Sequence, residues 1–185
     1  MNTILTLDEQ LFILLNSLHT AWLDPIMFII TKTLVWIPLY AISIYFLIKY
    51  YKKQSWLPLL GLVITIVATD QITSSLIKPF FARLRPSHEP SLAATIHLVN
   101  NEHGGLYGFA SSHAANTVGL ALFVWLTLRQ RYPWSWLLFV WAALMSYSRI
   151  YLGLHYPGDI LAGAVVGLCC AWVSYSLLKK SLVTS

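Results

Sequence analysis

Charge is what this sequence has least of: only 10% of its 185 residues are Asp, Glu, Lys or Arg. A soluble domain carries about a quarter of its residues charged, and so few charges could not cover a soluble surface. With 57% of the residues hydrophobic, the chain reads as an integral membrane protein. Acidic residues are scarcer than basic ones, seven against twelve. The positive surplus bears on orientation in a bilayer before it bears on any nucleic-acid partner, and none is expected. Cysteine is nearly absent. Cys169 and Cys170 are adjacent in an apolar run, where a mutual disulfide would be strained, and they say little about redox compartment. No cleavable leader is expected, because the N-terminus lacks a basic stretch and Asp8 and Glu9 interrupt the first apolar segment.

Long apolar runs are present in quantity. Five, at about 25–48, 56–77, 112–129, 134–151 and 158–178, are long enough for a hydrocarbon core of roughly 30 Å, which takes about 20 helical residues. Ahead of them Leu7, Leu11, Leu14, Leu15 and Leu18 recur at helical spacing beside polar residues. Residues 1–23 therefore read as an amphipathic helix in the interface, with a short sixth span as the alternative. Residues 79–111, rich in proline, glycine and histidine, read as a loop with one short helix. The expected fold is all-α, an integral membrane helical bundle of about five spans, forming one domain over residues 1–185.

Lys49, Lys52, Lys53, Arg129, Arg131, Lys179 and Lys180 fall on one side of a five-span layout, which the positive-inside rule makes cytoplasmic. Lys78, Arg83, Arg85 and Arg149 break that rule by lying at the opposite face. All six histidines lie there too, with every acidic residue except Asp70, which falls within the second span. Titratable groups gathered on the outer side indicate chemistry there on an anion.

Three stretches supply that face: KPFFARLRP from Lys78, FASSHAAN around Ser111, Ser112 and His113, and SRIYLGLHYPGD from Ser148 to Asp159. Each lies at the end of a span, so helix packing can join them. Guanidinium forks and an ammonium match phosphate oxygens, and Ser111, Ser112 and the free amides of a helix start add donors. His155 has a carboxylate four residues on, and Pro157 suits a first helical turn that holds Asp159. The aspartate can accept from one ring nitrogen and leave the other as a nucleophile. His113 is then free to act as general acid toward the leaving group.

These residues resemble the three signature motifs of the type 2 phosphatidic acid phosphatase family, which also includes vanadium haloperoxidases. Lys78, Arg85 and Pro86 match its lysine, six residues, Arg-Pro motif. Ser111 and His113 match Pro-Ser-Gly-His, which is broken by Ala110 and Ser112. Ser148, Arg149, His155 and Asp159 match the third motif in full. The resemblance implies a phosphohistidine formed on His155, protonation of the leaving oxygen by His113, and then release of phosphate by a water that His113 activates. It implies that Asp159 orients His155, that Lys78, Arg85, Arg149 and Ser111 hold the oxygens, and that no metal or other cofactor is needed. The departures at Ala110 and Ser112 touch the phosphate cradle, with Ser112 adding a side chain where backbone should approach the oxygens. A phosphate monoester or diphosphate with its tail in the bilayer is the expected substrate. The resemblance implies undecaprenyl diphosphate, lipid A phosphate, phosphatidylglycerol phosphate or phosphatidic acid, while small size and few soluble loops suggest a bacterial inner-membrane enzyme with the site facing the periplasm or exterior. A non-hydrolytic phosphate or phospholipid transporter, or a lipid-binding protein, is the alternative; paired halves and broken helices, which transporters commonly show, are not evident.

Other residues have plainer readings. Arg83 matches no required motif position and contacts either headgroups or substrate. His88, His97, Glu102 and His103 have spacing that fits no standard metal pattern and read as a solvated loop. Asp70 is either a partner for a pocket cation or a hydrogen-bond acceptor in helix packing. The tryptophans read as an interfacial belt, the GLCCAW run as small-residue packing, and Lys32 as snorkelling or facing a polar seam. Oligomeric state is not set by the sequence.

Overall fold

A computed structural model of the chain describes residues 2–183; Met1, Thr184 and Ser185, which the expected domain includes, lie outside the described residues. All regular elements among the described residues are helical. The principal ones are α1 (Asn2–Asn16), α2 (Asp24–Ile30), α3 (Ile37–Tyr51), α4 (Trp56–Asp70), α5 (Lys78–Phe81), α6 (Ser112–Leu128), α7 (Leu137–Tyr151) and α8 (Pro157–Val183). The stretches Thr33–Gln54, Trp56–Phe81 and Pro157–Leu182 are long and apolar enough to cross a membrane, and α6 is a shorter apolar helix packed between them.

The first apolar run is not one helix. α2 stops at Ile30 and the backbone turns extended at Lys32, with φ −79° and ψ 119°. A helix end leaves carbonyls without partners, and here the Trp36 indole N–H donates to the Ile30 carbonyl at 2.7 Å. The break presents Thr31, whose hydroxyl accepts from Arg149 Nη1 at 2.8 Å. Lys32 sits over the Phe28 ring.

α4 passes through a wide π-helical turn, Gln71–Ile77, before α5. Such turns tilt the helix surface and recur at functional sites. This one carries Thr73 and Ser74 and ends at Lys78.

α6 packs against α8 through backbone. A Cβ on Gly163 would collide with the Ser111 carbonyl oxygen, and one on Gly167 with the Ala115 carbonyl oxygen. The GAVVG segment is thus a small-residue seam of the kind that lets membrane helices touch, and it fixes α8 against the start of α6. Cys169 is exposed, so within GLCCAW it is the opening glycine, Gly167, that meets α6, with Gly163 one turn earlier. Leu120, Ala121, Val124, Leu138, Trp141 and Met145 form the adjoining core.

In α1, Phe12 and Asn16 are buried while Leu7, Leu11, Leu14 and Leu18, the last just beyond the helix end, are exposed. Four leucines of the stripe therefore face outward, while Leu15 packs on the cluster around Phe12. Five tryptophans (22, 56, 134, 136 and 172) are also exposed, whereas Trp141 belongs to the core.

Candidate active site

Proline at the second position of its first turn starts α5, and proline opens α8; its fixed φ suits a helix start and its missing N–H costs nothing there. α8 consequently begins two residues after His155, and Asp159 falls in its first turn. The Asp159 carboxylate folds back: Oδ2 lies 3.2 Å from His155 Nδ1 and accepts from the Tyr156 N–H at 3.1 Å. Both side chains are buried, His155 to 1% exposure. Burial lowers the pKa of His155 well below the ordinary 6.5, and Arg85, Arg149 and Lys78 push it the same way. A neutral imidazole with its Nδ1 engaged is the nucleophilic form.

α6 begins at Ser111, whose extended backbone and hydroxyl make an N-cap, accepting weakly from Ala114 N–H at 3.4 Å. Its own N–H donates to the Asp159 carbonyl at 3.0 Å, joining the second and third motifs through backbone. His113 follows in the first turn, within electrostatic reach of Arg149, His155, Arg85 and Lys78. It also lines a cavity of about 90 Å³ with Thr33, Tyr40, Asn116, Thr117 and Met145.

Ser112 fills the place of the motif glycine by joining a polar knot. Its hydroxyl oxygen receives hydrogen bonds from Lys78 Nζ at 2.7 Å and Thr73 at 2.9 Å and lies 3.0 Å from Ser74 Oγ. Ser74 donates weakly to Asp70 Oδ1 at 3.4 Å, so Asp70 is linked to Lys78 through Ser74 and Ser112.

Arg85 and Arg149 are 8% and 6% exposed. Arg85 Nε donates to the Tyr107 carbonyl at 3.2 Å, and Arg149 Nη1 to Thr31. Arg85 Nη1 and Arg149 Nε are buried without a partner. Burial lowers the pKa of Arg85, opposed by Asp159 and Glu102. A buried guanidinium N–H left unpaired costs several kcal/mol until an anion meets it, and two within electrostatic reach of His155 suit the fork geometry of a phosphate.

Arg83 is held by two carboxylates and a ring. Its Nη1 lies 2.7 Å from Asp8 Oδ2 and 3.1 Å from Asp159 Oδ1, and its guanidinium stacks on Tyr156 at 3.9 Å. Asp8 Oδ1 accepts from the Gly158 N–H at 2.7 Å. Asp8 was not legible as a site residue because it lies 150 positions from Gly158 with no motif between them. Its one signal is an acidic side chain in a helix whose leucines face the other way. Ser148, a motif residue, donates within its own helix to the Met145 carbonyl at 2.7 Å. His88 and His103 bond to loop groups, Gly104 O, Ser87 O and Asn101. His97 leaves them for Asp24 at 3.0 Å.

Fold and pocket together define an all-helical membrane protein with a cationic site. The chain belongs to the PAP2 superfamily, whose profile matches residues 58–182, and it is a membrane phosphatase. It is 39% identical over 176 residues to the lipid A 4'-phosphatase of Bacteroides thetaiotaomicron, covering 94% of this chain and 78% of that one. It is 36% identical over 180 residues to the lipid A 4'-phosphatase of Porphyromonas gingivalis, covering 96% and 75%. The crystal structure of Aquifex aeolicus LpxE matches it with a TM-score of 0.71 at 26% identity, over 92% of this chain and 95% of that one.

Proposed function

We propose that the protein hydrolyses a phosphate monoester or diphosphate of a bacterial lipid. A phosphate of lipid A stands first, ahead of undecaprenyl diphosphate, phosphatidylglycerol phosphate and phosphatidic acid. The carrying observation is the pair of buried, unpartnered guanidinium nitrogens, Arg85 Nη1 and Arg149 Nε, beside the His155–Asp159 pair. Lipid A is favoured because relatives at 39% and 36% identity bear that name and align over nearly the whole chain.

In this reading the phosphoryl group enters with its oxygens on Arg85, Arg149, Lys78 and the Ser111 and Ser112 donors at the start of α6. Nε2 of His155 attacks phosphorus as the P–O bond to the lipid breaks. Asp159 accepts the Nδ1 proton in a hydrogen bond and offsets the charge that develops on the ring. His113 gives its proton to the departing oxygen, then takes one from the water that cleaves the N–P bond, and the enzyme returns to its starting state. Fixed cations supply the electrostatic stabilisation of the spread charge. Residues 1–185 act as one domain, with residues 79–111 as the active-site loop. The protein resides in the inner membrane with the pocket toward the periplasm or exterior.

The test is phosphate release in detergent, with a chelator present, from the four candidate lipids, for wild type and His155→Ala. Release by the wild type, fastest from lipid A and lost in the variant, supports the reading. Equal release by both proteins overturns the nucleophile, and preference for another lipid overturns the substrate.

A further inference from the structure

Three metal-ligating side chains from three separate stretches converge away from the phosphate-binding side chains. They are His19 in the turn after α1, Asp24 at the start of α2 and His97 in the loop, and one donor atom from each lies within 4.8 Å of the others. His97 Nε2 lies 3.0 Å from both carboxylate oxygens of Asp24. The His19 and His97 rings stack with centroids 3.7 Å apart and planes 6° from parallel.

Buried groups hold this cluster from behind. Tyr151, fully buried, donates to Asp24 Oδ1 at 2.6 Å and accepts from the Thr20 N–H at 3.1 Å, fixing the carboxylate and the turn that carries His19. Asn16, 2% exposed, accepts from the His97 N–H at 2.8 Å and donates to the Tyr151 carbonyl at 2.8 Å. A hydrogen bond to the far side of a ligating carboxylate is the usual support of a metal ligand.

We propose that His19, Asp24 and His97 bind a divalent ion of zinc type, with solvent completing the tetrahedron. Two imidazoles and one carboxylate are a zinc donor set. One cation can take a lone pair from each imidazole and the carboxylate charge as well. The exposed His19 ring tilts out of the stack to present its nitrogen, a motion its position on a surface turn permits. The ion fastens the α1–α2 turn and the loop to the last residue of α7, Tyr151, two residues after Arg149 and four before His155. Its role is to clamp the pocket's scaffold, and it takes no part in the reaction. The site stands independently of the substrate reading above.

Zinc titration by calorimetry of chelator-stripped full-length protein in detergent tests this, with cobalt(II) absorption reporting the geometry. One equivalent per chain is expected, with tetrahedral cobalt bands. His19→Ala and His97→Ala should each weaken binding at least about tenfold, and Tyr151→Phe, which removes only the supporting hydroxyl, by roughly 10- to 100-fold. His88→Ala and His103→Ala should bind as the wild type does. Helical circular dichroism, unchanged in His19→Ala because that residue is exposed, separates ligand loss from misfolding. Absence of stoichiometric zinc in the wild type, or binding that His19→Ala leaves intact, overturns the site. So does phosphatase activity that vanishes on stripping and returns with zinc in His19→Ala, which would put the ion elsewhere.

Discussion

His155 combines near-complete burial with three cations nearby, and both act against its protonation. The folded-state pKa lies below 6.5, so between the two values the unfolded chain binds a proton that the folded chain refuses. Stability therefore falls as pH drops through that window. Side-chain nitrogen NMR should show a neutral His155 ring at pH 6.5, with the signal assigned by its loss in His155→Gln. The melting temperature should fall less on acidification in that variant than in the wild type; a ring half-protonated at or above 6.5 would contradict this. Arg83 Nη1 lies 3.1 Å from the Asp159 carboxylate. Losing a hydrogen bond to a charged group costs about 1.5–3 kcal/mol, so Arg83→Ala should lower kcat roughly 10- to 100-fold with little change in KM. Asp8→Asn should act in the same direction and less strongly, because Arg83 keeps its Asp159 contact. A KM effect without a kcat effect would instead make Arg83 a substrate ligand.

Elements carry the site because each begins or turns where the chemistry is needed. The π-helical turn before Lys78, the Ser111 cap and the Pro157 start aim three motifs at one point, and the contact of α6 with α8 holds two of them in register. Enlarging Gly167 to valine drives a side chain into the Ala115 carbonyl oxygen. Overpacking of this kind costs about 1–3 kcal/mol. A lower melting temperature in detergent is expected, with a larger loss of activity than of helicity because Ser111 moves relative to Asp159. Long apolar runs, leucines at helical spacing and a proline at a helix start made most helices legible in the sequence. The break at Thr31 and Lys32 was not, because a lysine between two threonines also fits an unbroken span with a snorkelling cation, and the helix ends on tertiary partners, Trp36 and Arg149. The α8 seam was legible at Gly167 in GLCCAW but not at Gly163 one turn earlier, since composition marks small residues without saying which of them meets backbone.

At the scale of the whole molecule, motif residues close together in sequence were readable, while partners brought together only by folding were not. His155 and Asp159 lie four residues apart and their pairing followed from spacing. Asp8 with Arg83, Arg149 with Thr31 and His97 with Asp24 join residues that no local pattern connects, and all three bind the N-terminal third of the chain to the rest of the fold. Orientation is open to a direct check. On a background lacking Cys169 and Cys170, His88→Cys should react with a membrane-impermeant maleimide in intact cells of a permeabilised outer membrane, and Lys53→Cys only after lysis. The reverse pattern would place the pocket on the cytoplasmic side.

The chemistry itself is tested most directly by rapid-quench capture of the enzyme during turnover of a phosphorus-labelled lipid phosphate, followed by peptide mass spectrometry. Label should appear on the His155 imidazole as an acid-labile, alkali-stable phosphoramidate, and be absent from His155→Ala. Turnover with no labelled protein, or with label on any other side chain, would contradict it.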